Sequence, residues 1–358
     1  MTTIMIMAGG TGGHVFPALA VARALRDQGV RIVWLGTRAG IEARVVPAAG
    51  FELEFINIRG LRGGGLLRWL LLPVRLNIAM FQALRILRRI KPNAVLAMGG
   101  FASGPGSLMT SALRIPLLIH EQNAVAGLTN RWLVKIADVV MAGFPAAFGK
   151  RRGVRVVGNP VRQEIIALPT PESRLAQHTG RLRLLIIGGS QGAQVFNRVV
   201  PEAVRALPEA VRPQVWHQTG KRDEENVTAA YRSFLPDTKV AAFIEDMAAA
   251  YDWADVVVCR AGAMTIAELA AAGVAAILVP FPQAADDHQT ANARFLESRD
   301  AAVLLPQPEF TVARLVELLT SIGANRALFL RQAINARACA TTNATETVAQ
   351  LCLEAAHA

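Results

Sequence analysis

Two glycine-rich segments of the chain have the composition of turns that bind phosphate groups. The first, Gly9–His14, and the second, Gly188–Gly192, each follow a short apolar run and precede a helical pattern. Such a turn between a strand and a helix lets backbone N–H groups and the helix N-terminus approach a phosphate. For either loop alone, a tight turn without a ligand is an equally good interpretation. The recurrence of the loop in both halves favours phosphate binding.

Neither loop matches the familiar motifs for dinucleotides or ATP. Val15 occupies the position of the last glycine of GxGxxG, and Gly36 and Thr37 follow the second predicted strand, where a ribose-binding acidic residue would stand. No Gly-Lys-Ser/Thr triplet follows either loop. The sequence therefore argues against NAD and ATP, and it leaves other nucleotide phosphates open.

Polar segments also follow four later strands of the predicted sheets. Gly99–Gly106 and His120–Arg131 lie in the first half, and Arg260–Glu268 and Asp286–Asn292 lie in the second. Parallel α/β sheets bind ligands at the carboxyl ends of their strands, where these side chains can hydrogen-bond sugar hydroxyls. The alternative for each segment is a set of turn and capping residues. Glu268, for example, can accept two ribose hydroxyls or can simply stabilise a helix dipole.

Apolar runs alternate with helical patterns along the whole chain, which predicts parallel sheets covered by helices on both faces. A helix is predicted from about Gln194 to Ala206, and a last helix at about Thr345–Ala356. A strand is expected from Leu182 to the second glycine loop. The other predicted strands are Thr3–Ala8, Arg31–Leu35, Ala94–Met98, Leu117–His120, Val139–Ala142, Val215–His217, Val240–Ile244, Val256–Cys259 and Ala276–Val279.

The length of 358 residues, at about 150 residues per domain, predicts two such α/β domains. Pro160–Gly180 is the predicted linker between them. A content of 52% apolar and 18% charged residues excludes disordered and fibrous classes. Three cysteines without CxxC spacing exclude a disulfide scaffold or a zinc finger and are typical of a reducing cytosol. No run of 18 apolar residues predicts a transmembrane helix.

The net charge of +11 is concentrated in one tract. Between Glu54 and Glu121 there is no acidic residue, and basic residues alternate with large apolar ones. A tract of this kind can bind nucleic acid, an anionic membrane surface or an acidic substrate. The alternative is an ordinary amphipathic helix that packs on the core, and nucleic acid is a weaker interpretation because no recognition motif accompanies the charge. The basic residues are Arg59, Arg62, Arg68, Arg75, Arg85, Arg88, Arg89, Lys91 and Arg114.

A set of motifs in this order resembles the MurG glycosyltransferases of bacterial peptidoglycan synthesis, over nearly the full chain. The motifs are Gly9–Pro17, Gly99–Gly106, His120–Arg131, Gly158–Arg162, Gly188–Ala193, Arg260–Glu268 and Asp287–Asn292. The resemblance implies a GT-B fold, in which two Rossmann-like doubly wound domains face each other across an interdomain cleft. It also implies transfer of GlcNAc from UDP-GlcNAc to the 4-hydroxyl of the MurNAc of lipid I, with inversion at the anomeric carbon, to form lipid II.

The resemblance also implies a role for individual residues of this chain. Ser190, Gln191 and Gly192 would meet the diphosphate, the backbone of Ile244 would pair with uracil, and Glu268 would hold the ribose. Position 288 is His here and Gln in some relatives, which leaves the contact to the GlcNAc hydroxyls open. The implied donor-binding residues are Thr11, Gly12, Gly13, Asn123, Arg162, Ser190, Gln191, Gly192, Ile244, Met264, Thr265, Glu268, His288 and Gln289, and the acceptor-binding residues are Gly104 and Asn130.

The acceptor hydroxyl needs a base, and His14 is the candidate because histidine titrates near neutrality. A helix-capping or acceptor-orienting role is the alternative for His14, and Glu121 is the reserve base. We expect no metal and no cofactor, because no DxD-like acidic pair has plausible partners, and because helix N-termini and backbone N–H groups can stabilise the departing UDP.

The expected domains are residues 1–162 with about 341–358 for the acceptor and the membrane, and residues 163–340 for UDP-GlcNAc. The expected location is peripheral, at the cytoplasmic face of the cell membrane, where lipid I is the partner. Two other functions remain open. One is a GT-B epimerase or a transferase for another lipid acceptor, and the other is a noncatalytic nucleotide-sugar binder, which would not need His14.

Overall fold

The protein is described by a computed structural model that covers residues 1–58, 72–178, 180–189 and 192–358. Residues Met1–Arg162 and Thr341–Ala358 form one unit, and Gln163–Ala340 form another. Each unit contains its own parallel sheet. The prediction of two parallel α/β domains is confirmed.

The sheet of the first unit has the strand order β3-β2-β1-β4-β5-β6-β7. Because the order reverses between β1 and β4, the loops after these two strands flank the position where doubly wound sheets bind ligands. The strands are β1 (Thr3–Ala8), β2 (Arg31–Gly36), β3 (Glu52–Phe55), β4 (Ala94–Gly99), β5 (Leu117–Glu121), β6 (Val139–Ala142) and β7 (Val154–Val156). The described helices before residue 163 are α1 (Gly12–Asp27), α2 (Glu42–Ala48), α3 (Leu72–Ile90), α4 (Ser103–Ala112) and α5 (Leu128–Leu133).

The sheet of the second unit repeats this topology in the order β10-β9-β8-β11-β12-β13. Its switch point lies between β8 and β11. The strands are β8 (Arg183–Ile187), β9 (Gln214–Gln218), β10 (Lys239–Ala241), β11 (Val256–Cys259), β12 (Ala275–Leu278) and β13 (Ala302–Leu304). The helices are α6 (Gln163–Ile166), α7 (Pro171–Ala176), α8 (Gln194–Ala206), α9 (Glu224–Arg232), α10 (Met247–Trp253), α11 (Ala263–Ala272), α12 (His288–Glu297), α13 (Val312–Ala324) and α14 (Arg326–Ala338).

The last helix, α15 (Ala344–His357), belongs to the first unit. It buries Val348, Leu351 and Cys352, which recur at helical spacing, in the apolar core that α1 also covers. The C-terminal segment therefore completes the core beneath the first glycine loop.

The segment Pro160–Gly180 is not a linker beyond Arg162. From Gln163 onward it folds onto the second unit as α6 and α7. The buried Arg174 of α7 donates to Ala272 O at 2.8 Å and to Gly273 O at 2.6 Å, so it satisfies two carbonyls at the end of α11. Of the prolines that suggested a linker, Pro169 lies between α6 and α7, and Pro171 is the first residue of α7.

Three strands escaped prediction because each is short and partly exposed. β3, β7 and β13 contain few fully buried residues, so none presents a continuous apolar run. The predicted strand Val240–Ile244 is also shorter, since β10 ends at Ala241 and Ile244 lies beyond it. Within the described part of the chain, no helix is long and apolar enough to cross a membrane.

Candidate functional site

The first glycine loop connects β1 to α1 at the switch point of its sheet. Thr11 has extended backbone angles and precedes the first helical residue, Gly12. Gly10 has a φ of 87°, a conformation that favours glycine. The predicted loop is therefore present, with Thr11 and Gly13 exposed and Gly12 and His14 half-buried.

The loop after β4 packs directly against the first glycine loop. Gly9 N donates to Gly99 O at 3.3 Å, and a Cβ on Gly100 would lie only 2.2 Å from Gly9 O. A Cβ on Gly99 would lie 2.5 Å from Cδ2 of His14. Only glycine leaves room here, so the imidazole of His14 packs against the backbone of Gly99 in the loop after β4. Its Nδ1 is 3.5 Å from Thr11 Oγ1.

Glu121, the reserve base, has a structural role in this geometry. One carboxylate oxygen accepts from Asn123 N at 2.9 Å and from Asn123 Nδ2 at 3.1 Å. The other accepts from Gly127 N at 3.0 Å and from Asn130 Nδ2 at 2.9 Å. Because four donors converge on this buried carboxylate, it orients Asn123 and Asn130.

His120 joins two of the sequence motifs inside the first unit. Its Nε2 donates to Gly158 O at 2.9 Å, and its Nδ1 accepts from Gln122 Nε2 at 3.2 Å. Burial lowers the pKa of His120, so the ring is neutral near pH 7. The neutral ring therefore links the 120–131 segment to Gly158 through its hydrogen bonds.

The two predicted acceptor residues lie in neighbouring elements. Asn130 is buried in α5, and a Cβ on Gly104 at the start of α4 would lie 3.7 Å from Cγ2 of Thr129. Among the atoms that the structure describes, Asn130 Oδ1 is buried without a hydrogen-bond partner. It is therefore an acceptor that a ligand hydroxyl or a water could satisfy.

The second glycine loop follows β8 and precedes α8. Gly192 has a φ of 75°, and a Cβ there would lie 1.9 Å from Thr219 O. The predicted diphosphate residues Ser190 and Gln191 lie outside the described residues. At the described ends of the loop, Gly188 and Gly192 leave no room for a Cβ. Such close packing of the backbone is typical of turns that approach a ligand.

Helix α11 carries three of the predicted donor residues on one half-buried face. Met264, Thr265 and Glu268 are partly exposed, whereas Ile266 and Leu269 are buried. Gly262, in extended conformation, is the N-cap residue, so the first N–H groups of the helix face the loop after β11. Residues 264, 265 and 268 therefore line the same side of the helix near its N-terminus.

Tyr251 is a partner of Glu268 that the sequence interpretation missed. Its hydroxyl donates to Glu268 Oε2 at 3.1 Å, from the buried ring on α10. This bond fixes one oxygen of the carboxylate and ties α10 to α11. Ile244, four residues after Val240, is buried in the segment that leads into α10. The only hint of this contact in the sequence is that an aromatic residue, Tyr251, occurs seven residues after Ile244.

A cavity of about 860 Å³ lies within the second unit. It is lined by Gly188 and Gly192 of the glycine loop and by the predicted Gln289, together with Arg260 and Phe281. Ile244, Met264, Thr265 and Glu268 are not among its lining residues. The cavity therefore contacts the second glycine loop and Gln289 of the Asp286–Asn292 segment. It does not include the face of α11 that carries Met264, Thr265 and Glu268.

Arg260 stabilises this cavity's wall. It donates to Val279 O at 3.1 Å, Pro280 O at 3.2 Å and Gln307 Oε1 at 2.7 Å, and burial lowers its pKa. Gln289 Oε1 accepts from Phe281 N at 2.9 Å, which leaves the amide Nε2 as its donor group. Arg260 is therefore committed to the protein, whereas Gln289 keeps a donor for a ligand.

The turn before α12 is strained. Asp286 and Asp287 have φ values of 50° and 49°, which non-glycine residues rarely adopt. Such strain is common at functional sites. The turn places His288 and Gln289, both half-buried, in the first turn of α12. Arg162 is half-buried at the last position of the first unit's main segment.

No cluster of three or more His, Cys, Asp or Glu side chains that could hold a metal ion occurs among the residues that the structure describes.

Comparison with known proteins identifies relatives that cover the whole chain. Residues 4–142 match the glycosyltransferase family 28 N-terminal domain, and residues 183–351 match the glycosyltransferase family 28 C-terminal domain. A protein of Nitrosomonas europaea is 55% identical over 349 residues, which are 97% of each chain, and one of Nitrosococcus oceani is 52% identical over 353 residues, covering 99% of this chain and 98% of that protein. Both are named UDP-N-acetylglucosamine–N-acetylmuramyl-(pentapeptide) pyrophosphoryl-undecaprenol N-acetylglucosamine transferase.

Solved structures agree with these relatives. The crystal structure of Acinetobacter baumannii MurG has a TM-score of 0.86 and 41% identity, covering 99% of this chain and 100% of that chain. A UDP-GlcNAc 2-epimerase from Neisseria meningitidis matches with a TM-score of 0.65 but only 13% identity, covering 99% of this chain and 100% of that chain, so it shows the fold alone. The GT-B fold and the resemblance to the MurG enzymes are confirmed, and the chain belongs to glycosyltransferase family 28.

Proposed function

We propose that this chain transfers GlcNAc from UDP-GlcNAc to the 4-hydroxyl of the MurNAc of lipid I, which yields lipid II and UDP with inversion at the anomeric carbon. The observation that carries the proposal is full-length identity of 50% or more to relatives named for this reaction. The residues of both glycine loops and of α11 support it, because each lies at the ligand-binding edge of its own sheet.

The second unit is the proposed donor domain. The carboxylate of Glu268, oriented by Tyr251, accepts the ribose hydroxyls, and the backbone of Ile244 pairs with uracil. Thr265 and Met264 lie one turn earlier on α11, near the phosphates. The N–H groups at the start of α11 stabilise the charge that develops on the departing UDP.

Three further donor contacts complete this assignment. Ser190 and Gln191, with Gly192, meet the diphosphate, and Arg162 adds a positive charge. The GlcNAc hydroxyls are contacted by His288 and by the amide of Gln289.

The first unit is the proposed acceptor domain. His14 takes the proton of the MurNAc 4-hydroxyl as its oxygen attacks the anomeric carbon, and the bond to the UDP oxygen breaks. Gly104 and Asn130 contact the acceptor, and Glu121 holds Asn130 in place. Asn123 and the loop residues Thr11, Gly12 and Gly13 approach the donor sugar.

The proposed membrane surface includes the outer face of α3. Val74, Ile78 and Phe81 recur every three or four residues and are 56%, 48% and 68% exposed. Arg85 and Arg88 are also exposed. Exposed apolar side chains flanked by arginines are suited to an anionic lipid surface, where we place the protein peripherally at the cytoplasmic face.

Part of the basic tract packs against the core of the first unit. Ala79, Ala83, Ile86 and Leu87 of α3 are buried, so the core-packing alternative holds for the inner face of the helix. Arg89 forms an ion pair with Glu54 at 2.7 Å. Arg59, Arg62 and Arg68 lie outside the described residues.

UDP release measured with and without a lipid-linked MurNAc acceptor tests the proposed function. Acceptor-dependent release supports the transferase. Release that does not depend on the acceptor, or that requires a different lipid, contradicts it. A protein that binds UDP-GlcNAc and releases no UDP under either condition would be a noncatalytic binder.

A further inference from the structure

A buried carboxylate lies directly beneath the first glycine loop. Glu42, the first residue of α2, is completely buried. Its Oε2 accepts from Gly10 N at 2.9 Å, and its Oε1 accepts from Thr37 N at 2.9 Å and from Thr37 Oγ1 at 2.8 Å. Three donors from two separate segments therefore converge on one charged group, and such bonds are stronger than neutral ones.

The surrounding backbone is shaped around this carboxylate. A Cβ on Gly9 would lie 2.5 Å from Glu42 Oε1, and a Cβ on Gly40 would lie 2.0 Å from Oε2. A Cβ on Gly36 would lie 2.7 Å from Cγ of Glu42. None of the three is among the positive-φ glycines. These positions need glycine because the carboxylate fills the space, and not because of their backbone angles.

The carboxylate occupies the place where a nucleotide-binding loop would receive an anion. In Rossmann-type loops the backbone N–H groups after the first strand face a phosphate. Here the N–H of Gly10 is taken by Glu42, and the negative charge beneath it disfavours a second anion at that point. One N–H group of the first loop thus has an anionic partner within the protein itself.

We propose that Glu42 is a positioning residue for the transfer reaction, acting through the loop that carries His14. The inference rests on the proposed function. Glu42 fixes Gly10, the adjacent Gly9 bonds to Gly99, and Gly99 is the surface on which the His14 ring lies. Release of the carboxylate shifts the loop and moves the imidazole away from the acceptor hydroxyl. Side chains that hold a reacting group to a fraction of an ångström are common supports of active sites.

The test is Glu42→Gln, which keeps the shape and removes the charge. The amide has only one oxygen, so if that oxygen keeps the two Thr37 donors, its NH₂ faces the N–H of Gly10. We expect kcat to fall roughly ten- to a hundredfold, because a misplacement of about 1 Å can cost as much as a hundredfold. The dissociation constant for UDP, bound in the other unit, should not change.

A double variant separates positioning from general stability. In a His14→Ala background, Glu42→Gln should lower the residual rate less than twofold, since the group that it positions is already gone. An undiminished loss in that background overturns the inference, as does wild-type kcat in Glu42→Gln itself.

Gly40→Ala displaces the carboxylate without changing its charge, and we expect a comparable loss of kcat. Gly323→Ala is the matched control, because nothing lies within 4 Å of a Cβ there, and it should turn over like the wild type. Should Glu42→Gln not fold, Gly40→Ala carries the kinetic test.

Hydrogen exchange at the Gly10 amide distinguishes this inference from the proposed function. Exchange should accelerate in Glu42→Gln whether or not the enzyme turns over. An inactive wild type would overturn the proposed function and, with it, the positioning role of Glu42 in the reaction. Slow exchange at Gly10 in the variant would instead show that the carboxylate of Glu42 does not hold the Gly10 amide in place.

Discussion

Replacement of Glu268 by alanine should weaken UDP-GlcNAc binding by about 10- to 150-fold. The side chain lies half-buried on α11, and Tyr251 fixes one of its oxygens at 3.1 Å. A hydrogen bond to a charged group contributes about 1.5–3 kcal/mol, and 1.4 kcal/mol corresponds to a tenfold change in affinity. A carboxylate that accepts the ribose hydroxyls therefore accounts for a loss of this size.

Titration calorimetry with UDP and with a 2′,3′-dideoxy analogue provides the assay. UDP should bind the Glu268→Ala variant more weakly than the wild type, whereas the analogue should bind both proteins equally. Glu297→Ala is the control, since that carboxylate is exposed at the end of α12. Unchanged affinity of Glu268→Ala for UDP would refute the ribose assignment.

Tyr251→Phe refines the same argument. The substitution keeps the buried ring and removes only the hydroxyl that orients Glu268. Loss of this bond leaves the carboxylate less well oriented but does not remove its contact to the ribose, so UDP should bind roughly three- to tenfold more weakly, or by about 0.7–1.4 kcal/mol. A loss as large as that of Glu268→Ala would indicate that Tyr251 contacts the nucleotide itself.

The remaining predictions concern catalysis, the membrane and pH. His14→Ala should lower kcat by roughly 10²–10⁴ with little change in UDP affinity, and a loss confined to the acceptor KM would mark it as a binding residue. EDTA should leave turnover intact, and abolished turnover would contradict the metal-free mechanism. Replacement of Arg85 and Arg88 by Glu should weaken binding to anionic liposomes by about 1 kcal/mol per residue, less at high salt. Phe81→Ser should weaken that binding without salt dependence, and unchanged liposome binding in both would place the docking surface elsewhere. Burial lowers the pKa of His217 to about 3, so the free energy of unfolding should fall as pH drops from about 6.5 towards 3, and His217→Gln should reduce this fall in acid denaturation experiments.

The glycine loops and the central strands could be predicted because their signals are local. The apolar runs of β1, β4, β8 and β11 are buried along their whole length, and a glycine-rich turn follows the run directly in the case of β1, β4 and β8. Length, flanking glycines and helical spacing are enough to identify such a unit. Helix α8 was placed correctly at Gln194–Ala206 for the same reason.

The supporting contacts could not be predicted because their partners are distant in sequence. Glu42 lies 32 residues from Gly10, and Tyr251 lies 17 residues from Glu268. Nothing in the spacing of such residues indicates that their side chains meet. The donors to Glu121 lie only two to nine residues away, but their convergence on one carboxylate depends on the path of the chain between Glu121 and α5, which the sequence does not reveal.

Each unit has a glycine loop for which we infer an anionic partner, and the two partners differ. Both place a glycine loop after the first strand of a parallel sheet, next to the point where the strand order reverses. In the first unit the anion is the carboxylate of Glu42, which accepts a hydrogen bond from the N–H of Gly10 in the loop that carries His14. In the second unit the atoms nearest to a Cβ on the described Gly188 and Gly192 belong to the backbone, and the anion that we propose there is the diphosphate of the donor. We thus propose that the same type of loop holds His14 in one unit and the diphosphate of the donor in the other.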